Sequence, residues 1–268
     1  FGAIGAAWIF SEEGFIKNGI PGISFGKLRG SYGSTGNDQI GDYQYLDTYS
    51  LSPNQYEGIN GIFPSRLYNP DFSWETNKKM EFSVELGLFQ DRILMTGSYY
   101  RNRSSNQLVG FPLPGTTGFS SINANLNATV ENTGWEFELN TVNVRTDNFN
   151  WSTSLNVTVP KNRLVSFPNL EGSPYANSLV IGESLNIRKV YQLNGVDPVT
   201  GIYQFEDFNG DGSISSVDDR QAIRNLDPTF FGGLNNSFSV GKFQLDFLFQ
   251  FTKQLGRNFW SSGGQIVG

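Results

Sequence analysis

The sequence predicts an all-β protein: about eight antiparallel strands that form the wall of a transmembrane β-barrel, with short periplasmic turns and long extracellular loops. Three observations predict this class. Long segments alternate apolar and polar residues with a period of two, tight turns alternate with long connections along the chain, and charged residues are scarce. Strands that meet hydrocarbon on one side and water on the other have these properties.

The clearest alternation lies near the end of the sequence. From Phe243 to Phe251 every odd position is a large apolar residue, and the even positions from 244 to 252 are polar except at Leu248. Successive side chains of a strand point to opposite faces, so the apolar groups share one face. In a soluble sandwich this face would pack on a core, and in a barrel it would contact lipid. The alternation alone does not decide between these two; in the barrel, the polar positions Gln244, Asp246 and Gln250 would face the lumen.

The other strands follow from the same periodicity. They are expected at 3–10, 24–34, 72–89, 93–104, about 129–144, about 149–159 and 233–240. In the third long hairpin, Val142 and Val144 fall out of phase with the rest of their strand. A β-bulge beside the turn would account for this change.

The connections differ sharply in length. Tight turns are expected near 91, 146 and 241, whereas long loops are expected at 35–70, 107–127 and 160–230. In the second of these loops, Pro112 and Pro114 argue against a central strand. A membrane barrel sorts short turns and long loops to opposite ends, and a sandwich has no reason to do so. The long loops should therefore lie together at one end of the strands.

Composition excludes several classes of function. Charged residues make up 16% of the 268 residues, below the quarter that is usual for soluble domains, and the net charge is -6. An acidic chain without a basic stripe is not expected to bind nucleic acid. The sequence contains no Cys and no His, so it cannot supply a Ser-His-Asp triad, a disulfide or a zinc site of these residues. The pairs Glu81/Glu85 and Glu136/Glu138 are expected to line a polar interior rather than to act as acid and base, and no enzymatic activity is expected.

One segment matches the spacing of a calcium loop. The twelve residues from 207 to 218 place oxygen-bearing or carboxylate side chains where Ca²⁺ would need them, with a glycine at the sixth position. The candidate ligands are Asp207, Asn209, Asp211, Ser213 and Asp218. A bound Ca²⁺ would rigidify a loop rather than take part in chemistry. The alternative is a turn that holds itself by side-chain to backbone hydrogen bonds without metal.

The first long loop is rich in tyrosine. Tyr43, Tyr45, Tyr49 and Tyr56 lie within a segment that is longer than connections in compact domains usually are. One interpretation is an ordered surface loop packed by its own tyrosines. The other is an aromatic platform that contacts a substrate, and these four residues are the candidates for it.

Several motifs, in order, give a more specific resemblance. They are K-L-R-G-S-Y-G-S-T-G-N-D at 27–38, N-P-D-F-S-W-E-T-N-K at 69–78, V-E-N-T-G-W-E at 130–136, G-V-D-P-V-T-G at 195–201 and D-F-N-G-D-G-S-I at 207–214. Together they resemble the later barrel region of SusC/RagA-type TonB-dependent outer-membrane transporters. The resemblance covers essentially the whole chain.

This resemblance implies a 22-stranded barrel in a bacterial outer membrane, with residues 1–268 forming part of one barrel domain and with the plug and the C-terminal strands absent from it. It also implies energy from TonB, a SusD-like surface lipoprotein as partner, and import of oligosaccharides or peptides. The leading alternative is a secreted β-sandwich module that binds carbohydrate and has a structural calcium loop. That alternative predicts that the row from Phe243 to Phe251 is buried against a second sheet. A barrel enzyme is a further alternative, which the missing His disfavours.

Overall fold

The computed structural model describes residues 1–37, 43 and 45–256, and strands are their main secondary structure. The strands are β1 (Gly2–Trp8), β2 (Ile23–Asn37), β3 (Thr48–Tyr56), β4 (Ile59–Arg66), β5 (Glu75–Leu88), β6 (Ile93–Pro112), β7 (Ser121–Arg145), β8 (Phe149–Ser166), β9 (Ile187–Val190), β10 (Leu193–Val196), β11 (Tyr203–Phe205), β12 (Ala222–Asn225), β13 (Phe230–Val240) and β14 (Phe243–Lys253). Helical turns are limited to Phe10–Glu12, Gly14–Lys17 and Gly115–Thr117. No helix among the described residues is long and apolar enough to cross a membrane.

Eight strands form one antiparallel sheet in the order β1-β2-β5-β6-β7-β8-β13-β14. The remaining six strands form three two-stranded sheets, β3 with β4, β9 with β12, and β10 with β11, each within a long connection. The all-β, antiparallel class and the expected number of wall strands are confirmed.

The connections of the main sheet alternate between two ends. At one end, here called the turn end, backbone hydrogen bonds join neighbouring turns: Gly241 donates to Asn148 over 3.0 Å, and Phe89 donates to Gly22 over 2.9 Å. The opposite end, here called the loop end, receives the connections that leave β2, β6 and β8. The tight turns near 91, 146 and 241 therefore lie at one end and the long connections that follow β2 and β8 at the other, as predicted.

The predicted loop at 107–127 is wrong. β6 and β7 continue through most of it as a paired hairpin, from Gln107 opposite Leu126 to Pro112 opposite Ser121. The pairing passes an irregularity at Asn106, whose φ is 59°, a conformation in which Asn is less disfavoured than most residues. Pro112 is tolerated because it is the last residue of β6. The predicted bulge between Val142 and Val144 is confirmed.

Pairing across the sheet defines two faces, since residues directly opposite in an antiparallel ladder point to the same side. One face, here called the apolar face, carries a continuous set of large apolar groups: Ile4, Tyr32, Phe82, Tyr99, Trp135, Phe137, Leu155, Val157, Phe238, Leu245, Phe247 and Phe249. The other, here called the polar face, carries mainly charged, amide and hydroxyl groups.

The apolar face is uncovered. Phe243, Leu245 and Phe249 expose 81%, 60% and 62% of their surface, and no second sheet covers them in the described part of the chain. The burial that the sandwich alternative predicts is therefore contradicted.

A small buried cluster lies at the loop end, on the polar side of β7 and β8. It contains Ala128, Val130, Leu164 and Phe167. The chain after β8 folds back onto this point, where Leu164 donates to Glu183 over 2.7 Å and accepts from Gly182 over 2.8 Å. The segment 167–183 thus packs over the polar side of the wall.

Candidate functional site

Ion pairs line the polar face between β2 and β5. Arg29 lies 2.7 Å from Glu81 and Lys27 lies 3.4 Å from Glu85, measured from side-chain nitrogen to carboxylate oxygen. Lys27 and Glu85 are direct partners in the ladder, whereas Arg29 reaches Glu81 diagonally. Both glutamates lie on the polar face of the sheet, where the alternation predicts them.

An open pocket of about 660 Å³ lies on the polar face, across β2, β5, β6 and β7. Its lining is Ser31, Lys79, Met80, Glu81, Ser98, Tyr100, Asn102, Asn132 and Glu136. Hydroxyl, amide and charged groups of this kind can exchange hydrogen bonds with a polar solute.

A second pocket, of about 340 Å³, continues toward the loop end. It shares Tyr100 and Asn132 with the first pocket and adds residues of the long connection, among them Asn186 and Asp227. The two pockets therefore form a polar path along the wall, from mid-strand to the loops.

Asn162 anchors the long connection to this path. Its side-chain oxygen accepts from the Leu185 backbone over 2.8 Å and from the Ser184 hydroxyl over 3.3 Å. The Ser184 hydroxyl also bonds Asp227, whose other oxygen accepts from Asn186 over 3.1 Å. Because these bonds cross from the strand to two parts of the loop, they fix the loop over the end of the wall.

The predicted tyrosines lie in and before the β3–β4 hairpin, at the loop end. Tyr43, Tyr45 and Tyr49 are all exposed, and the backbone carbonyl of Tyr43 accepts from Arg66 over 3.2 Å. Tyr56 ends β3, and its side chain lies outside the described residues. The three described rings are accessible to a molecule outside the chain.

The predicted calcium loop is closed by hydrogen bonds to its own backbone. The two carboxylate oxygens of Asp207 accept from Gly210 and Gly212, each over 2.7 Å, and Asp211 accepts from Ser213 over 2.8 Å. Both glycines have positive φ, at 72° and 80°, which glycine adopts without steric cost. Among the described residues, no three acidic side chains converge as a preformed metal site.

The sequence analysis missed the residue that closes this loop, Asp219. Its carboxylate is fully buried and accepts from the Phe208 backbone over 2.8 Å and from the Ser215 backbone over 2.7 Å. Asp218, the predicted ligand, is exposed and accepts from the Ser215 hydroxyl over 2.9 Å. The calcium-loop spacing predicts a ligand at the twelfth position, Asp218, whereas the carboxylate that holds the loop together belongs to the next residue, Asp219.

Comparison with known proteins gives a consistent result. The family model described as "TonB dependent receptor-like, beta-barrel" matches residues 2–179. The TonB-dependent receptor P26 of Formosa agariphila is 34% identical over 278 residues, which cover 94% of this chain and 28% of that protein. The TonB-dependent receptor SusC of Bacteroides thetaiotaomicron is 28% identical, over 81% of this chain and 24% of SusC.

Solved structures show the same fold. The RagAB peptide importer in the "closed-closed" state matches with a TM-score of 0.77 and 22% identity, over 93% of this chain and 29% of that one. The RagAB peptide transporter matches with a TM-score of 0.74 over 92% of this chain. The eight-stranded sheet therefore has the fold of part of a transmembrane barrel wall. The chain spans less than a third of the length of each of these relatives.

Proposed function

Because this chain belongs to the TonB-dependent receptor-like β-barrel family, we propose that it forms part of the wall of an active importer in a bacterial outer membrane. One observation carries the proposal: a single sheet has an uncovered apolar face, a charged and amide-rich opposite face, and its two longest connections at the same end. Such a sheet separates lipid from a polar passage. No enzymatic role is proposed for it.

Oligosaccharides or peptides are the proposed substrates. Both are polar chains that need many weak hydrogen bonds along a passage, and the path from Glu81 through Tyr100 and Asn132 to Asp227 offers donors and acceptors in sequence. The likeness to the RagAB peptide importer and to SusC supports this substrate class. Tyr43, Tyr45, Tyr49 and Tyr56 are proposed to meet the substrate where it enters.

TonB and a SusD-like surface lipoprotein are the proposed partners. In this arrangement the loop end would face outward and meet the lipoprotein, and the turn end would face the periplasm. The long connections support this orientation, since barrels of this kind place their longer loops outside the cell.

Calcium in the loop from Asp207 to Asp218 stays a prediction. Carboxylate and amide oxygens are the donors that Ca²⁺ prefers, and an oxygen that accepts one N–H bond keeps a second lone pair. Isothermal titration of the full-length transporter with Ca²⁺ should show binding that Asp207→Asn abolishes. An unchanged titration in that variant would favour the metal-free turn.

The transport proposal is tested in cells that lack the full-length gene and are complemented with it. Uptake of fluorescent oligosaccharides and peptides should be restored for one substrate class, and it should stop when the proton-motive force is dissipated. Asn132→Trp would narrow the polar path and should reduce uptake, whereas Phe137→Trp, on the same strand but on the apolar face, should not. Uptake that persists without energy, or that responds equally to both substitutions, would contradict the proposal.

A further inference from the structure

The apolar face changes character at the loop end. Continuing along the strands in steps of two, Tyr99 is followed by Arg101 and Arg103, and Trp135 is followed by Thr133 and Glu131. The ladder pairs Arg103 with Glu131, and Glu131 with Arg163, so all three side chains point to the same side as the lipid-facing aromatics.

Basic residues on this face are confined to the loop-end side of its large apolar groups. The described strands of the main sheet place six Lys or Arg residues on the apolar face, and each lies further toward the loop end than the large apolar residues in the middle of the sheet: Lys78, Arg101, Arg103, Lys161, Arg163 and Lys253. Within the same strands, Glu131 is the single acidic residue on this face. In a chain with a net charge of -6, this concentration of cations is not a consequence of composition.

Glu131 gathers three of these cations. Arg101 and Arg103 donate from Nε to one of its oxygens over 2.7 and 2.8 Å, and Arg163 donates from a terminal nitrogen to the other over 2.8 Å. The Glu131 side chain is only 6% exposed, whereas the three arginine side chains are 39–42% exposed. One carboxylate for three guanidinium groups leaves a surplus of positive charge. The terminal nitrogens of Arg101 and Arg103 make no hydrogen bond that is found in the described part of the chain.

A cavity adjoins these arginines. It has a volume of about 220 Å³ and is lined by Tyr32, Lys78, Met80, Arg101 and Arg103. Three cations therefore line it, and no carboxylate does. Exposed Tyr32 lies in the same cross-strand row as Arg101, and exposed Trp135 lies one row nearer the turn end. Aromatic side chains of this kind mark the boundary between hydrocarbon and headgroups, so the cavity lies at headgroup level.

We propose that the cluster of Lys78, Arg101, Arg103, Lys161 and Arg163, organised by Glu131, binds the phosphate groups of a membrane lipid in the leaflet at the loop end. Guanidinium forks bind phosphate oxygens through paired hydrogen bonds, and Glu131 holds the arginines ready for this contact. The position of the cluster indicates that the phosphate belongs to a lipid. A cationic cavity on the apolar face, beside an aromatic belt, faces lipid headgroups and not the polar path. This inference goes beyond the proposed transport function and concerns the outside of the wall.

Two lysines allow a test that leaves the Glu131 network intact. Lys78 and Lys161 are exposed, and no ion pair of either is found among the described residues. The test variant combines Lys78→Gln with Lys161→Gln. The control combines Lys17→Gln, in the connection between β1 and β2, with Lys242→Gln, in a tight turn; both are exposed lysines, and the net charge changes by the same amount.

The experiment measures how tightly the detergent-solubilised full-length transporter binds mixed micelles that contain diphosphoryl lipid A. Micelles of the dephosphorylated lipid, and inorganic phosphate alone, are measured for comparison. The intact protein should bind the phosphorylated lipid and should bind it less as ionic strength rises. The test variant should weaken binding roughly 10- to 30-fold, since each basic residue near a charged lipid surface contributes about 5-fold. The control variant should bind as the intact protein does.

Two results would overturn the inference: equal binding of the phosphorylated and dephosphorylated lipids, or equal loss in the test and control variants. Inorganic phosphate that binds as tightly as the lipid would show a free-anion site and would also overturn it. Substrate uptake in the same variants reports separately on transport, so failure of one proposal does not imply failure of the other.

Discussion

Substituting Phe247 with Arg tests whether the apolar face contacts lipid. Phe247 is in β14, on the face shared with Leu245 and Phe249, and its ring stacks on Phe238 with a centroid distance of 5.9 Å. The adjacent residue Leu248 points to the polar face, where its side chain approaches Gly233. The two positions therefore offer the same chemical change, a large apolar residue to Arg, on opposite sides of one strand.

The expected cost at Phe247 follows from its position. An Arg side chain near the bilayer midplane destabilises a barrel by roughly 2 to 4 kcal/mol. Loss of the aromatic contacts with Phe238 and Phe249 adds about 1 kcal/mol. Leu248→Arg, and equally Gln250→Arg, place the charge among amides and water on the polar face, where a change below about 1 kcal/mol is expected.

The assay is urea unfolding of the full-length transporter reconstituted in lipid vesicles, followed by tryptophan fluorescence, with the amount of folded protein in the membrane fraction as a second readout. Phe247→Arg should lower the unfolding midpoint without changing the slope of the transition. The assignment of the faces would be refuted if Leu248→Arg were as costly as Phe247→Arg, or if neither mattered.

Three further predictions concern single carboxylates. Glu131→Gln should destabilise the transporter by roughly 1 to 3 kcal/mol in the same unfolding assay, because one acceptor oxygen becomes an amide nitrogen that faces a guanidinium group and the other loses its charge, whereas exposed Glu136→Gln should be nearly neutral. Asp219→Ala should speed hydrogen exchange and proteolysis across residues 207–219, because it leaves two backbone N–H groups unpaired, and Asp218→Ala should have little effect. The pKa of Asp197 lies below its ordinary value because the Thr200 and Val199 backbone N–H groups donate to the carboxylate. The stability that Asp197 gives the β10–β11 turn is therefore present at neutral pH and is lost as pH falls through the lowered pKa. NMR titration measures this pKa. A pKa of Asp197 at or above the value for an unfolded chain would contradict the reasoning.

Much of the main sheet could be predicted because two-residue alternation and turn chemistry are local properties. The hairpin from Phe230 to Lys253 shows this. The two-residue alternation of apolar and polar residues predicts its strands, and Gly241, whose φ is 57°, predicts its turn. The extension of β6 and β7 could not be read in this way. Gln107 to Pro112 is held by pairing with residues 121–126, which is a long-range interaction that local periodicity does not record.

The polar path was only partly predictable for the same reason. Alternation assigned Glu81 and Glu85 to the polar face, and their partners Arg29 and Lys27 follow once the register is known. The contribution of Asn162, which joins the strand to Ser184 and Leu185, depends on how a long loop folds back. No spacing rule in the sequence connects these residues.

Residues that break the alternation carry information that the regular positions do not. Asn236 lies on the apolar face, yet it is buried, and its side-chain oxygen accepts from Trp151 over 3.0 Å and from Thr153 over 2.8 Å. Trp151 in turn stacks on Phe238, so aromatic rings adjoin the polar contact. A polar group that faces hydrocarbon is stable only if its hydrogen bonds are made within the wall.

The same requirement explains why two kinds of polar residue on the apolar face are stable at different depths in the membrane. Asn236 lies between aromatic rows, and its side-chain oxygen accepts two hydrogen bonds from its neighbours, which lowers the cost of keeping that oxygen at hydrocarbon depth. Arg101 and Arg103 lie beyond Tyr99 and keep donors that Glu131 does not use, which is stable only where water or a lipid headgroup can accept them. The point on the apolar face at which polar residues cease to satisfy one another therefore marks the level at which the wall leaves the hydrocarbon.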